Sequence, residues 1–273
     1  MLLITGSNGQ LGTELSKLLP DALFADYEVL DITDSDAVAN YVKKHKVDAV
    51  INCAAYTAVD KAEDEVDQAT AVNVDGPRIL SQHIPKIIHI STDYVFGVSG
   101  DAPITTDYPT EPKSVYGRTK LEGERQVLEN AETAIIIRTG WLYSTHGSNF
   151  LKTMQRLGAE KESINVVSDQ VGTPTYAADL ASAIVKILPK IKEGQKDVYH
   201  FANEGACSWY DFAVEIMKSS GYNCSVYPIS SSEYPTRAER PSYSVLDKSK
   251  IKSDFGLEID HWQEALKRCL KQF

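Results

Sequence analysis

Apolar positions along the chain alternate between short continuous runs and stretches with helical spacing. Residues 1–5 form one run, Gly6, Gly9 and Gly12 follow, and apolar residues then recur at helical intervals from Glu14 to Leu19. That order predicts a strand, a tight turn and a helix. A second strand is predicted over 22–25, ending at Asp26. Asp34–His45 reads as a helix with Val38, Tyr41 and Val42 on one face and Asp34 as its N-cap. The alternation continues with a strand at Asp48–Cys53, a helix at Asp64–Leu80 and a strand at Lys86–Ile90 that runs into Ser91-Thr92-Asp93. A helix over Tyr116–Glu129 and a strand over Thr133–Arg138 complete the series. Strands this continuously apolar have both faces covered, which means a parallel sheet with helices on each side. The predicted fold is therefore α/β, a Rossmann-type doubly wound sheet with ligands at the carboxyl ends of its strands.

After Gly147 the pattern changes. Helical spacing over 149–157, 178–188, 209–219 and 262–273 is separated by short apolar runs at 164–167, 198–201 and 225–229. This predicts a smaller, mixed C-terminal substrate lobe. Residues 1–147 are expected to bind the nucleotide. Residues 148–273 are expected mainly to bind substrate, with segments returning to the sheet. The chain shows no repeat and no low-complexity linker.

Composition narrows the function more than the fold. A chain of 273 residues suits one large domain, alone or with a small lobe, and 42% hydrophobic with 24% charged residues is ordinary for a globular protein. A net charge of -10 disfavours a nucleic-acid partner, which needs a basic surface, but leaves room for a phosphorylated small molecule. No run of 18 apolar residues exists to predict a membrane span, and the N-terminus reaches glycine without a basic region, unlike a signal peptide. Cys53, Cys207, Cys224 and Cys269 are scattered, and no histidine has ligand spacing, so no metal site is assigned. Free thiols in a reducing cytoplasm are the expectation.

The first chemical signal is Gly6-Ser-Asn-Gly9-Gln-Leu-Gly12. Glycine serves where backbone turns sharply or approaches a ligand, and the helix start behind it offers unpaired N–H groups to a pyrophosphate. Asp26, at the end of the second strand, stands where a carboxylate accepts hydrogen bonds from an adenosine ribose. Asp31 reads either as an adenine contact or as a turn residue before the Asp34 helix. The small residues of Cys53-Ala54-Ala55-Tyr56-Thr57 read either as a close approach to cofactor or as strand-to-helix packing.

The second signal is Tyr116-Gly-Arg-Thr-Lys120. Positions i and i+4 share a helix face, and an ammonium there would stabilise phenolate and lower the tyrosine's proton affinity. Such a phenol can donate a proton to a carbonyl oxygen as hydride reaches the carbon. A solvated helical pair has the same spacing. Ser91-Thr92-Asp93-Tyr94, at the end of the preceding strand, adds hydroxyls that can hold a substrate oxygen.

These segments, with others, carry a resemblance across nearly the whole chain: GSNGQLG (6–12), LDIT (30–33), CAAYTAVDKAE (53–63), ISTDYVF (90–96), SVYGRTKLEGE (114–124), RTGWLY (138–143), NFLKTM (149–154), DQVGTPT (169–175), SWYDFA (208–213) and AERPSYSVL (238–246). The chain resembles the extended short-chain dehydrogenase/reductases and, within them, the dTDP-4-dehydrorhamnose reductases. The resemblance implies reduction of the 4-keto group of dTDP-4-dehydro-6-deoxy-L-mannose by NADPH or NADH. It implies Tyr116 as proton donor, Lys120 on the nicotinamide ribose and Thr92 on the reacting oxygen. Gly9, Gln10, Leu11, Asp26, Asp31, Ile32, Ala55, Tyr56 and Thr57 match cofactor-contacting positions, and Gly6, Gly12, Ala54, Ile90, Tyr116 and Lys120 complete that set. Val59, Thr92, Asp93, Tyr116 and Trp141 are the implied substrate contacts. Trp141 and Asp93 also have structural readings, as a core aromatic and a loop cap. Arg240 before Pro241 either pairs with the substrate diphosphate through its planar fork or makes a surface ion pair.

Some relatives bind Mg2+ at a dimer contact, but no ligands are assigned in this chain; a monomer or homodimer is expected. Epimerase and dehydratase readings share the fold. A dehydratase is expected to carry two acidic residues after the threonine, whereas Asp93-Tyr94 supplies one. A cofactor-binding regulatory subunit without turnover would not need Thr92, Tyr116 and Lys120 together. Asp26 favours a free 2′-hydroxyl, hence NADH, whereas the resemblance implies that NADPH is often accepted, so the choice between them stays open. Two departures from the family pattern stand out. The stretch from Asn73 to Lys86 is short, which predicts a trimmed helix, and Gly140 replaces a usual Ser or Ala, which predicts a looser hold on Trp141.

Overall fold

The computed structural model describes residues 1–97, 100 and 102–273. The first half runs β1 (Leu2–Thr5), α1 (Gln10–Leu18), β2 (Leu23–Ala25), α2 (Ser35–His45), β3 (Ala49–Asn52), α3 (Val59–Ala62) and α4 (Val66–Thr70). A π-helical turn (Ala71–Asp75) leads into α5 (Gly76–His83), β4 (Lys86–Thr92), α6 (Val115–Asn130) and β5 (Thr133–Thr139). Then come β6 (Leu142–Tyr143), α7 (Phe150–Glu160), β7 (Ser163–Val167), β8 (Val171–Gly172), β9 (Thr175–Tyr176) and α8 (Ala177–Ile187). The chain ends with β10 (Lys196–His200), β11 (Cys207–Ser208), α9 (Trp209–Ser220), β12 (Ser225–Ile229), α10 (Ser249–Phe255) and α11 (Trp262–Leu270).

Six strands form one parallel sheet in the order β10-β5-β4-β3-β1-β2. Adjacent side chains on each strand face opposite layers. On β5, Ile135 and Ile137 join Ile4, Leu15, Leu180 and Ile184 on one face, while Ala134 and Ile136 join Leu3, Val38, Leu80 and Val127 on the other. Each fully buried Ile or Leu is worth about 1.5–3 kcal/mol over exposure, so the sheet is a rigid platform. The chain order reverses between β1 and β3, which is where such a sheet opens a crevice at its carboxyl edge.

The later half contributes to two layers. β10 adds the strand beside β5, α8 packs on α1, and α10 packs on β10. The two-stranded sheet of β7 and β12, with α7, α9 and α11, surrounds a separate core that includes Tyr143, Phe212, Met217, Trp262 and Leu266. Ser208 starts α9 through a reciprocal capping box with Asp211.

The short stretch before β4 does not trim the helix. Residues 66–83 stay helical through the π-turn, and only Ile84 and Pro85 separate the helix from β4. The saving falls on the return loop.

Candidate active site

One cavity of about 1000 Å³ opens along the carboxyl edge of the sheet. Its lining joins the glycine turn, the ends of β2, β3 and β4, the first turn of α6 and the segment after β5. Gly6, Gly9, Gln10, Leu11, Gly12, Asp26, Asp31, Ile32, Ala54, Ala55, Thr57 and Ile90 all line it. So do Val59, Thr92, Asp93, Tyr116, Lys120 and Trp141.

The glycine turn is dictated by contact. Gly6 has a φ of 63°, and a Cβ there would lie 2.7 Å from the backbone nitrogen of Ala54. A Cβ on Gly12 would lie 2.4 Å from the carbonyl oxygen of Gly6. No side chain caps the start of α1, so its first N–H groups are left for a ligand. The Gln10 side chain faces the other way. Its Oε1 accepts from Ser144 Oγ (3.1 Å) and Asn149 Nδ2 (2.9 Å), and its Nε2 donates to the Leu142 carbonyl (3.3 Å). Gln10 thus offers backbone to the cavity while its amide ties α1 to the 142–149 segment.

Asp26 accepts from the backbone N–H of Tyr27 (2.8 Å) and of Asn8 (3.2 Å), which holds its carboxylate at the cavity edge. Asp31 makes the turn contacts and also stands at the cavity where an adenine contact is expected. Its Oδ1 accepts from the Thr33 N–H (2.9 Å) and hydroxyl (2.7 Å), and it lines the cavity. Asp34 is the N-cap of α2. Tyr56 is the exception among the cofactor residues and does not line the cavity. Its hydroxyl donates to Glu65, and its backbone N–H and carbonyl are clamped by the side-chain amide of Asn73. Asn73, fully buried in the π-turn, also donates to Thr119 Oγ1 at 3.1 Å. The π-turn therefore fixes the loop after β3 against α6, a role no spacing pattern announced.

At the reacting end, Ser114 caps α6 by accepting from the Gly117 N–H (3.1 Å), and Glu63 accepts from the Val115 N–H (2.7 Å). These bonds set the start of the helix that carries Tyr116 and Lys120. Burial pushes the Tyr116 phenol well above the ordinary tyrosine range; a hydrogen bond with Thr92 opposes this, and Asp93 and Tyr94 add to it. Lys120 is 2% exposed. Its ammonium donates to the Ile90 carbonyl at 2.7 Å. Burial brings its proton affinity down to about 8, against Glu124 and Cys53, which favour the charged form. The expected lowering of the phenol by Lys120 is thus not what the structure holds. Burial dominates both groups, and the lysine is committed to a backbone carbonyl.

Thr92 donates to Asp93 Oδ1 (3.0 Å) and accepts from the Tyr94 N–H (3.2 Å). Burial pushes the Asp93 carboxyl up to about 6, against hydrogen bonds from Ser244, Thr92 and backbone N–H groups. Ser91 also lines the cavity, but its hydroxyl is already committed. It donates to Glu124, which also receives Arg138 in a two-pronged pair at 2.9 and 2.7 Å, locking α6 onto β4 and β5.

Trp141 stacks face to face on Trp209, with ring centroids 3.4 Å apart, although its φ is 50°. A left-handed conformation costs a non-glycine residue about 1–3 kcal/mol and persists only where the surroundings hold it. Gly140 does not loosen this ring. A Cβ at 140 would sit 2.6 Å from the Asp93 carboxyl, so the glycine makes room for that carboxylate while Trp209 fixes the tryptophan. Arg240 lies outside the large cavity and lines two smaller ones beside it. It donates to Asp60 at 2.8 Å, and its Nε is buried without a partner. Tyr27, Gln68, Val72, Gly147 and Ser148 also line the large cavity and carried no motif, as does Asn8 within the glycine motif. Among the described residues, no group of three or more His, Cys, Asp or Glu is placed to hold a metal, and no helix is long and apolar enough to cross a membrane. The four cysteines are free thiols.

The family described as the RmlD substrate binding domain matches residues 1–273. A dTDP-4-dehydrorhamnose reductase of Aggregatibacter actinomycetemcomitans is 43% identical, with 97% of each chain covered. The solved structure of a dTDP-4-dehydrorhamnose reductase from Clostridium acetobutylicum superposes with a TM-score of 0.94 at 41% identity, covering 99% of this chain and 98% of that one. A Bacillus anthracis dTDP-4-dehydrorhamnose reductase, solved in complex with NADP, superposes with a TM-score of 0.95 at 38% identity, covering 100% and 99%. The glycine turn, the clustered Thr92, Tyr116 and Lys120 and these full-length likenesses lead to one conclusion: the chain belongs to the dTDP-4-dehydrorhamnose reductase family.

Proposed function

We propose that this chain reduces the 4-keto group of dTDP-4-dehydro-6-deoxy-L-mannose to give dTDP-L-rhamnose, with reduced NAD or NADP as the hydride source. Besides family membership, one observation carries the reading. A single cavity runs from an uncapped, glycine-lined helix start to a half-buried tyrosine with a hydroxyl partner. The donor set fits a dinucleotide. Free N–H groups of α1 suit the pyrophosphate, and Asp26 suits a ribose diol. When bound there, the nicotinamide supplies hydride to the sugar's C4.

The chain's own residues handle the proton. Tyr116 is kept protonated by burial, which is the state a reduction needs until the oxygen gains charge. Thr92, turned between Asp93 and Tyr116, orients the substrate oxygen toward the phenol. Lys120 holds the nicotinamide ribose from the floor of the cavity. Trp141, immobilised on Trp209, forms the wall against which the sugar packs. Arg240, with an unpartnered buried Nε beside Asp60, reaches the diphosphate from the adjoining small cavities. Asp26 suits the free 2′-hydroxyl of NADH, while the NADP bound by the Bacillus anthracis relative suits NADPH, so both are kept as hydride sources.

The test is direct. Purified protein supplied with the 4-keto nucleotide sugar should consume reduced cofactor in proportion to the sugar. Cofactor binding without any consumption would overturn the reading and favour a regulatory subunit.

A further inference from the structure

The reacting group sits on a buried polar file that the proposed mechanism does not use. Thr5 on β1, Asn52 on β3 and His89 on β4 are register partners across three adjacent strands. All three are buried, and Asn52 and His89 are fully so. His89 interrupts an otherwise apolar run, Ile87-Ile88-His89-Ile90, in a central strand. A polar ring in that place has to be matched by partners.

The partners fix its protons. Asn52 Oδ1 accepts from Thr5 Oγ1 (2.7 Å) and from the Ala54 N–H (3.2 Å). Two donors on one side identify that atom as the oxygen, so the amide nitrogen faces His89 Nδ1 at 3.0 Å. Nδ1 must then offer its lone pair, and the ring proton lies on Nε2. Nε2 faces the Lys120 nitrogen at 3.4 Å. An N–H aimed at an ammonium is unfavourable, whereas aimed at an amine lone pair it is a hydrogen bond.

We propose that His89, with its tautomer set by Asn52, is a positioning residue that holds Lys120 between ammonium and amine. The other groups facing Lys120 do not cancel this. Glu124, on the same helix, favours the ammonium but shares its charge with Arg138 and Ser91. Cys53, just past the end of β3, also favours it, Tyr116 lies one turn back on α6, and the Ile90 carbonyl accepts from either form. Burial acts in the same direction as His89. On the reading that Tyr116 gives its proton to the sugar, the consequence is a neighbour that exchanges protons near neutrality and can help refill the phenol.

Asn52→Asp tests this, because a carboxylate accepts where the amide donated. The ring proton should then move to Nδ1, leaving an Nε2 lone pair facing Lys120. In the cofactor-free protein with labelled histidine and lysine, nitrogen NMR should show wild-type His89 protonated on Nε2. In Asn52→Asp it should show protonation on Nδ1 and a Lys120 titration raised by about one pH unit, tenfold in proton affinity. The limb of kcat/KM governed by Lys120 should move with it. Most of that shift should vanish when His89→Leu is added, since the new charge alone would otherwise carry it. Wild-type His89 protonated on Nδ1, or a shift that survives His89→Leu, would overturn the proposal. The wild-type spectrum decides even if the variants fail to fold, and it is independent of whether the chain turns over the proposed sugar.

Discussion

The two ends of the large cavity are built from opposite materials. At the nucleotide end the chain presents backbone. Gly6 and Gly12 bring strands and helix into contact distances no side chain would fit, and α1 starts without a cap. At the reacting end it presents side chains that burial has pushed away from their ordinary proton affinities: Tyr116 up, Asp93 up and Lys120 down. Damage at the first end should therefore appear as lost cofactor affinity. Damage at Tyr116 or Asp93 should appear as lost rate or a changed pH response, with cofactor affinity kept.

Four substitutions probe that contrast. Tyr116→Phe should lower kcat by about 10²–10⁴-fold, the usual worth of a positioned general acid, with cofactor Kd unchanged by calorimetry. A parallel loss of cofactor affinity would blur the division. Gly6→Ala places a Cβ against the Ala54 backbone and should weaken cofactor binding at least about tenfold, about 1.4 kcal/mol, in the same calorimetric assay.

Asp93→Asn addresses protons without chemistry. The folded carboxyl, raised to about 6 from its ordinary value of 3.8, keeps its proton to a higher pH than the unfolded one. Its contribution to stability is fully present below about 3.8 and is lost as pH rises through about 6. Denaturant melts of both proteins should thus show the variant gaining about 1–3 kcal/mol on the wild type between pH 4 and pH 7. A pH-independent difference would mean the carboxyl is not perturbed. The smallest effect expected is Asp26→Asn, which should improve KM for NADPH relative to NADH by up to about tenfold, because the repulsion toward a 2′-phosphate is removed.

The contrast also explains what could be read from the residues alone. Glycine spacing, apolar runs such as Ala134–Ile137, and the helical interval between Tyr116 and Lys120 are local patterns, and the structure places them together. What spacing could not report was contact remote in sequence. Tyr56 turns away because Asn73, 17 residues on, clamps its backbone. Arg240 meets Asp60 from the far side of the chain, and Trp141 is held by Trp209 despite Gly140. Lys120 donates to Ile90, and that bond with its burial outweighs the i,i+4 relation to Tyr116. The file through Asn52 and His89 depends on strand register, which periodicity does not report.

On the proposed reading, one cavity delivers hydride to the sugar's C4 while Tyr116 supplies the proton. The decisive measurement is a single-turnover reaction with the 4-keto nucleotide sugar and cofactor deuterated at the transferring position of the nicotinamide. Deuterium is expected at C4 of the rhamnosyl product with the wild-type protein, and almost none formed in the same time by Tyr116→Phe. Deuterium at another carbon, or equal labelling by the two proteins, would contradict it.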